Sequence, residues 1–490
     1  MTYHAFAAAD LGASSGRVIL GRLEDGRFTL HELHRFENGP VRSRNGDLHW
    51  AFDELAASVR EGFRRALAAE PELASLGIDT WGVDYGRLDA SGSLLEQPWC
   101  YRDGRTDGVP ERFFEHFSAE RLYAQTGAQV QQFNTVFQLA AAASDEGWDA
   151  TETVLFIPDL LNFGLTGIAR AEVTFASTAA LLDVANRSWS AEVLGHLEEK
   201  YGLPVRRVLP TLVEPGEIIG STAEGVLERP VPVVAVGSHD TASAVVAVPS
   251  TSERFAYISS GTWSLVGLEL PEPVLTPESA AANFTNELGV DGTVRYLKNV
   301  MGLWVLQECV RTWREADIEI SWAELVDLAA DAPALACVVD IDDPRLLKPG
   351  NMLGRLTQLA RESAQSLRPD PGAVARCILD SLALAYRDAI RRACSLAGHD
   401  VEVIHIVGGG SQNQLLCQLT AEATGLPVVA GPAEGTALGN LLVQARAVGA
   451  IEGGLDALRR VAIASSDVRR YRPGVLPIPA SRWDEARSRF

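Results

Sequence analysis

One pattern occurs twice, about half a chain apart: an apolar run, a tight glycine-containing turn, and a second β-rich run. The first copy runs through residues 6–9, Asp10, the small segment 11–16 and residues 18–20. The second runs through residues 255–259, the turn Ser260-Gly261-Thr262 and residues 263–268. The 490 residues exceed what one compact core accommodates. Together these features predict an α/β chain of two similar domains facing one another across a cleft. The boundary falls near residue 245, giving an N-terminal domain over 1–245, a C-terminal domain over 246–450, and a tail over 451–490 that packs back on the surface.

The succession of elements agrees. Residues 28–36 read as a third strand, and Asn45-Gly46 is a two-residue hairpin signal. Asp53 is placed to cap a helix whose Leu55, Val59, Phe63 and Leu67 recur on one face. Strand character resumes at 76–80 and 83–88, and a buried-type strand at 233–236 delivers Gly237-Ser238-His239-Asp240 to its C-terminal end. In the second half a long helix over 374–396 precedes a strand over 403–407. A triple glycine, Gly408 to Gly410, a helix over 412–424, a strand over 428–430 and a helix over 436–449 complete the series.

Composition removes whole classes of function. The chain is 47% hydrophobic and 22% charged, as in ordinary globular proteins, and carries a formal net charge of −21. That charge opposes nucleic-acid binding, which requires a basic face. A polyanionic ligand would have to be held locally by backbone N–H groups, a few arginines and a metal ion. The six cysteines are scattered without a C-x-x-C pair and read as reduced thiols. With no basic leader and no apolar run of membrane-spanning length, the expected setting is the cytoplasm, away from membranes.

The segment 10–17 concentrates two glycines, two hydroxyls and Arg17 in one turn after a buried strand, a composition able to aim several N–H groups at one anion. Taken alone it equally suits an ordinary hairpin with a capping Asp. A second turn of the same type at Ser259 to Thr262 favours two phosphate-gripping hairpins, and Gly408-Gly409-Gly410 would let a nucleotide approach the backbone closely. No G-x-x-x-x-G-K-[ST] motif exists, and the only lysines are Lys200, Lys298 and Lys348. Both P-loop and protein-kinase motifs are missing. His239-Asp240 follows a buried strand and precedes a helix, where a carboxylate serves either as a helix cap or as the base that orients a hydroxyl and takes its proton. Asp79, Trp81 and Asp84 have the groups that bind sugar hydroxyls and stack on sugar faces, and equally those of core and turn residues.

Together the segments 10–17, 78–84, 101–103, 238–243, 259–264, 297–307 and 405–413 resemble the FGGY carbohydrate kinases over almost the whole chain. The resemblance implies two actin-like (ribonuclease H-like) ATPase domains that close around their substrates, with the sugar and the first phosphate hairpin assigned to the N-terminal domain and ATP to the C-terminal one. It implies Asp240 as catalytic base, and ATP contacts at Ala13, Ser14, Ser15, Gly16, Arg17, Thr262, Gln307 and Gly409. Sugar contacts are implied at Gly82, His239, Asp240, Thr241 and Asn299, and a place near Mg²⁺ for Asp10, through water. Many family members carry a Lys and a Trp in an early helix where this chain has residues 134–139, which argues against a glycerol or xylulose substrate. The implied reaction is ATP-dependent phosphorylation of L-rhamnulose at its 1-hydroxyl, in L-rhamnose catabolism. Another deoxyketose or ketopentose such as L-fuculose, or a non-catalytic sugar sensor, are the alternatives, and monomer and homodimer both stay open.

Overall fold

The computed structural model describes residues 3–490; Met1 and Thr2, which open the expected N-terminal domain, lie outside them. The chain divides into two compact units. The first comprises residues 3–247, 270–296 and 435–465; the second comprises 248–269, 297–434 and 466–490. The expected boundary near 245 coincides with the first crossing, but the chain then returns to the first unit twice. Residues 270–296 and the helices at 435–465 therefore belong to the first unit rather than to the C-terminal segment or the tail. Only 466–490 of the expected tail packs on the second unit, where Trp483 is buried and Arg387 pairs with Asp484.

In the first unit the strands lie in the order Ile218–Ser221, Pro232–Val234, Ser75–Thr80, His4–Leu11, Ser15–Glu24, Arg27–Glu37. His4–Leu11 is antiparallel to Ser15–Glu24 and parallel to Ser75–Thr80, which is parallel to Pro232–Val234. The opening strand is apolar on both sides because both sides are covered. Ala5, Ala7, Ala9 and Leu11 pack with Val59 and Phe63 of the helix Phe52–Ala69, while Phe6 and Ala8 pack with Leu438, Leu441 and Leu442 of the helix Gly435–Ala447.

Asp53 does not cap the Phe52–Ala69 helix. The N-cap position is Ala51, without a side-chain bond, and Gln97 does the work from a distance: its Oε1 accepts the Phe52 N–H at 2.8 Å while its Nε2 donates to Asp53. A long-range side chain thus satisfies an N–H that the local sequence leaves open.

The second unit repeats the arrangement. Phe255–Ser260 is antiparallel to Trp263–Leu270 and parallel to Val403–Val407, which is parallel to Val428–Ala430, and Arg469–Tyr471 closes the edge antiparallel. Each half thus places its hairpin beside the same two parallel strands, as the repeated pattern predicts. The helix Pro371–Ala397 begins where the Asp370 side chain accepts the Ala373 N–H at 2.9 Å and stops at Gly398, whose φ of 62° suits glycine. All six cysteines are free, and no helix among the described residues is long and apolar enough to cross a membrane.

Candidate functional site

The parallel strands of the first unit bring acidic residues to their C-terminal ends, the usual place for chemistry in such sheets. Asp10 and Asp79 are register partners on neighbouring strands. Thr80 N–H donates to the Ser238 carbonyl at 2.8 Å, which sets His239 and Asp240 beside those same strand ends. Burial raises the Asp79 carboxyl well above the usual carboxylate range, and the charge of Asp10 adds to this. Asn440 opposes the shift by donating to Asp79 Oδ2 at 2.6 Å. The Asp79 Oδ1 atom is buried without a hydrogen-bond partner.

The turn through Ala13, Ser14, Ser15 and Gly16 is tied down through its carbonyls. Gly12 N–H donates to Ser15 O, Asn38 N–H to Ser14 O, and the Asn38 amide to Gly12 O. A side chain at Gly16 would meet Phe36 at 2.4 Å and Leu11 at 2.8 Å, so this glycine permits the strand to pack against Phe36. Arg17 donates from Nε and Nη2 to Asp10 Oδ2 at 3.0 and 2.7 Å. A phosphate drawing on Arg17 would therefore share it with the Asp10 carboxylate.

Asp240 is the first residue of the helix Asp240–Val246, and His239 is its N-cap without a side-chain bond. A capping carboxylate accepts from an N–H two or three residues on. Asp240 Oδ1 accepts instead from its neighbour Thr241, at 2.6 Å from N and 3.2 Å from Oγ1. Capping thus does not account for the carboxylate. Burial raises its proton affinity above the usual carboxylate value of 3.8; His239 opposes the shift and Asp10 adds to it.

The loop before Asp240 hangs on Glu172. Its carboxylate accepts from Ser238 N at 3.0 Å, Thr174 N at 2.8 Å, Thr174 Oγ1 at 2.6 Å and Phe175 N at 3.2 Å. Burial pushes Glu172 up to about 7 against these donors. A carboxyl raised in the fold binds more protons there than in the unfolded chain between its ordinary 4.5 and about 7. Its contribution to stability is therefore full below about pH 4.5 and is lost as pH rises through about 7. Urea titrations of wild type and E172Q should show the wild type losing stability relative to the variant across that window.

Asp84 and Trp81 have a structural task. Asp84 Oδ2 accepts from Trp50 Nε1 at 2.7 Å, Trp81 Nε1 at 3.0 Å and Tyr101 N at 3.3 Å, while Oδ1 accepts from Gln138 Nε2 at 3.0 Å. With four donors directed at it, Asp84 ties two tilted indoles together; the Trp50 and Trp81 ring centroids are 4.2 Å apart with their planes at 41°. Gly82, between them in sequence, points a different way. A Cβ there would lie 3.3 Å from Thr178 Oγ1 and 3.5 Å from His239 Nε2, so Gly82, Thr178 and His239 converge. Gly82→Val should fill this space and raise the sugar KM by about 10- to 100-fold while leaving the ATP KM near wild type, measured by steady-state kinetics.

The remaining candidates gather in the second unit. Gly261 O and Thr262 O accept the N–H groups of Leu303 and Trp304 at 3.1 Å, so the second hairpin turn holds the start of the helix Trp304–Glu315 that carries Gln307. A Cβ at Gly302 would lie 2.6 Å from Thr262 O, and only glycine lets the end of the strand Val294–Met301, bearing Asn299, run against this turn. Cβ atoms at Gly408 and Gly410 would strike Ser260, at 2.9 Å from O and 2.0 Å from Oγ, whereas Gly409 has open space before it. Thr262, Gln307, Asn299 and Gly409 thus belong to one unit, while Gly82, His239, Asp240 and Thr241 belong to the other. Asn299, expected with the sugar contacts, lies in the unit of the nucleotide candidates.

Sequence reasoning missed Thr178, Glu172, Glu287, Arg295 and Asn440. Each lies far along the chain from the motif it serves and has no local pattern of its own.

The model of the N-terminal domain of the FGGY family of carbohydrate kinases matches residues 6–247, and that of the C-terminal domain matches residues 256–448. The chain is 42% identical to a rhamnulokinase of Enterococcus faecalis over 454 residues, covering 91% of this chain and 90% of that one. It is 40% identical to a rhamnulokinase of Bacteroides thetaiotaomicron, covering 99% and 98%. Among solved structures, gluconate kinase from Lactobacillus acidophilus superposes with a TM-score of 0.80 at 14% identity, covering 100% of this chain and 96% of that one. Xylulose kinase from Rhodospirillum rubrum does so with a TM-score of 0.79 at 18% identity, covering 99% and 96%. The fold is therefore that of the two-domain, actin-like sugar kinases, and the chain belongs to the FGGY family of carbohydrate kinases.

Proposed function

We propose that the chain transfers the γ-phosphoryl group of ATP to the 1-hydroxyl of L-rhamnulose, giving L-rhamnulose 1-phosphate and ADP, with Asp240 as general base. The observation that carries the reading is Asp240 itself. It is a carboxylate of raised proton affinity at a strand-to-helix junction, not consumed by capping, beside His239 and Thr241 and among the acids at the C-terminal ends of the parallel strands. The substrate follows from the rhamnulokinases that the chain resembles over nearly its whole length.

As a sugar kinase of this family the enzyme is ATP-dependent and uses Mg²⁺. The residues present suit that requirement. No group of three or more metal-ligating side chains occurs among the described residues, and Mg²⁺ in nucleotide sites is held mainly by phosphates and water with one or two carboxylates. Asp10 is the carboxylate to serve it, and the metal's contribution when bound is to offset phosphate charge. Ala13, Ser14, Ser15, Gly16 and Arg17 would hold phosphate oxygens, and Thr262, Gln307 and Gly409 the nucleotide.

Phosphoryl transfer has a loose transition state, so positioning supplies most of the acceleration. His239, Thr241 and Gly82 would fix the sugar, and Asp240 would orient its hydroxyl. As the sugar oxygen bonds to phosphorus and the bond to ADP breaks, the hydroxyl proton passes to the Asp240 carboxylate. The test is ADP release with L-rhamnulose, L-fuculose, L-xylulose and glycerol side by side. L-Rhamnulose should give the highest kcat/KM; a better fuculose rate would reassign the substrate, and no sugar-dependent release would favour a non-catalytic sensor.

A further inference from the structure

Behind His239 lies a buried ion pair that the reaction as described leaves unused. The Arg295 side chain is fully buried and its Nη1 lies 2.9 Å from Glu287 Oε2. The rest of the guanidinium is occupied: Nε and Nη2 donate to Leu288 O at 3.2 and 3.1 Å, and Nη2 reaches Thr174 O at 3.5 Å. The same Glu287 Oε2 lies 3.1 Å from His239 Nδ1, and His239 Nε2 lies 3.4 Å from Asp240 Oδ1. Burial pushes the Glu287 carboxyl up, but the charges of Arg295 and His239 hold it below its usual value. A buried ion pair contributes little net stability, since desolvation offsets the attraction. What these two charges do accomplish is to hold one ring.

We propose that Glu287, backed by Arg295, is a positioning residue for phosphoryl transfer: the pair grips His239 Nδ1 and so keeps Nε2 turned toward Asp240 and Gly82. His239 Nδ1 accepts from Arg295 Nη1, 3.2 Å away, while Glu287 Oε2 lies 3.1 Å from the same nitrogen without a hydrogen bond and acts on the ring by its charge and by holding Arg295. Three segments distant in sequence, 82, 239–240 and 287–295, are thereby fixed to one geometry, and Thr174 joins them by accepting the His239 N–H at 3.4 Å. The groups facing His239 are Asp240, Glu287 and Arg295, while Asp240 also feels Asp10.

This inference rests on the reading of Asp240 as base. E287Q keeps the size and removes the charge, and should lower sugar-dependent kcat by at least about tenfold with the ATP KM unchanged. Because the effect passes through the imidazole, adding E287Q to H239N should cost less than about twofold beyond H239N alone. The paired change E287L/R295M removes both charges together and should fold yet show the same loss of turnover. Equal losses from E287Q in the wild-type and H239N backgrounds, or near-normal turnover of E287Q or E287L/R295M, would overturn the proposal. Near-normal turnover of D240N would instead remove the base reading beneath it.

Discussion

Asp240→Asn should lower sugar-dependent turnover by about 10²- to 10⁴-fold, equivalent to about 3 to 5 kcal/mol of barrier, while ATP binding stays near wild type. The amide is nearly isosteric, and its oxygen can still accept the bonds that Oδ1 takes from Thr241 N and Oγ1. What it cannot do is take a proton. The pH profile supplies a second signature. Burial raises the carboxyl above 3.8 despite His239, so the acid limb of kcat/KM in the wild type should lie above that value and vanish in the variant. Calorimetric titration with ATP alongside turnover separates a lost base from a lost fold.

Gly439→Ala should be nearly as damaging from a position with no chemistry of its own. The helices Gly435–Ala447 and Asp240–Val246 meet at this residue so closely that a Cβ on Gly439 would lie 1.7 Å from the Ser243 carbonyl oxygen and 2.6 Å from its carbon. Rotamer changes cannot relieve a clash with backbone, so one helix must move. Ser243 is also bonded through Oγ to Gly237 O at 2.7 Å, which ties any shift to the loop that bears His239 and Asp240. A displacement near 1 Å at a reacting group costs about 100-fold in rate. We expect a stability loss of about 3 kcal/mol by urea denaturation together with at least that loss of turnover. A variant within about 1 kcal/mol of wild type and fully active would mean that the helices separate without moving Asp240.

The elements legible in the sequence are those whose cause is local. The two glycine-turn hairpins, the strand Val403–Val407 and the helix begun by Asp370 and stopped by Gly398 depend on residues next to one another. Where cause and effect are separated the reading weakens. Asp53 looked like a cap because Gln97, which satisfies the Phe52 N–H, lies 45 residues away. Asp84 reads equally as a sugar ligand and as a turn residue because nothing nearby announces that Trp50, Tyr101 and Gln138 converge on it. Gly16 and the triple glycine suggest close approach of phosphate and nucleotide, and at Gly16 and Gly410 there is also a packing reason for glycine, since a Cβ would strike Phe36 and Ser260, which lie far off in sequence. Glu287, Arg295, Gly439 and Asn440 come from the stretches where the chain re-enters the first unit, a crossing that no residue pattern marks.

Transfer to one hydroxyl of one sugar is tested by ³¹P NMR of the enzyme incubated with ATP, Mg²⁺ and L-rhamnulose. A new phosphomonoester resonance split by the two C1 protons should grow in step with ADP. ATP consumed to inorganic phosphate alone, or a phosphoester on another carbon, would contradict it.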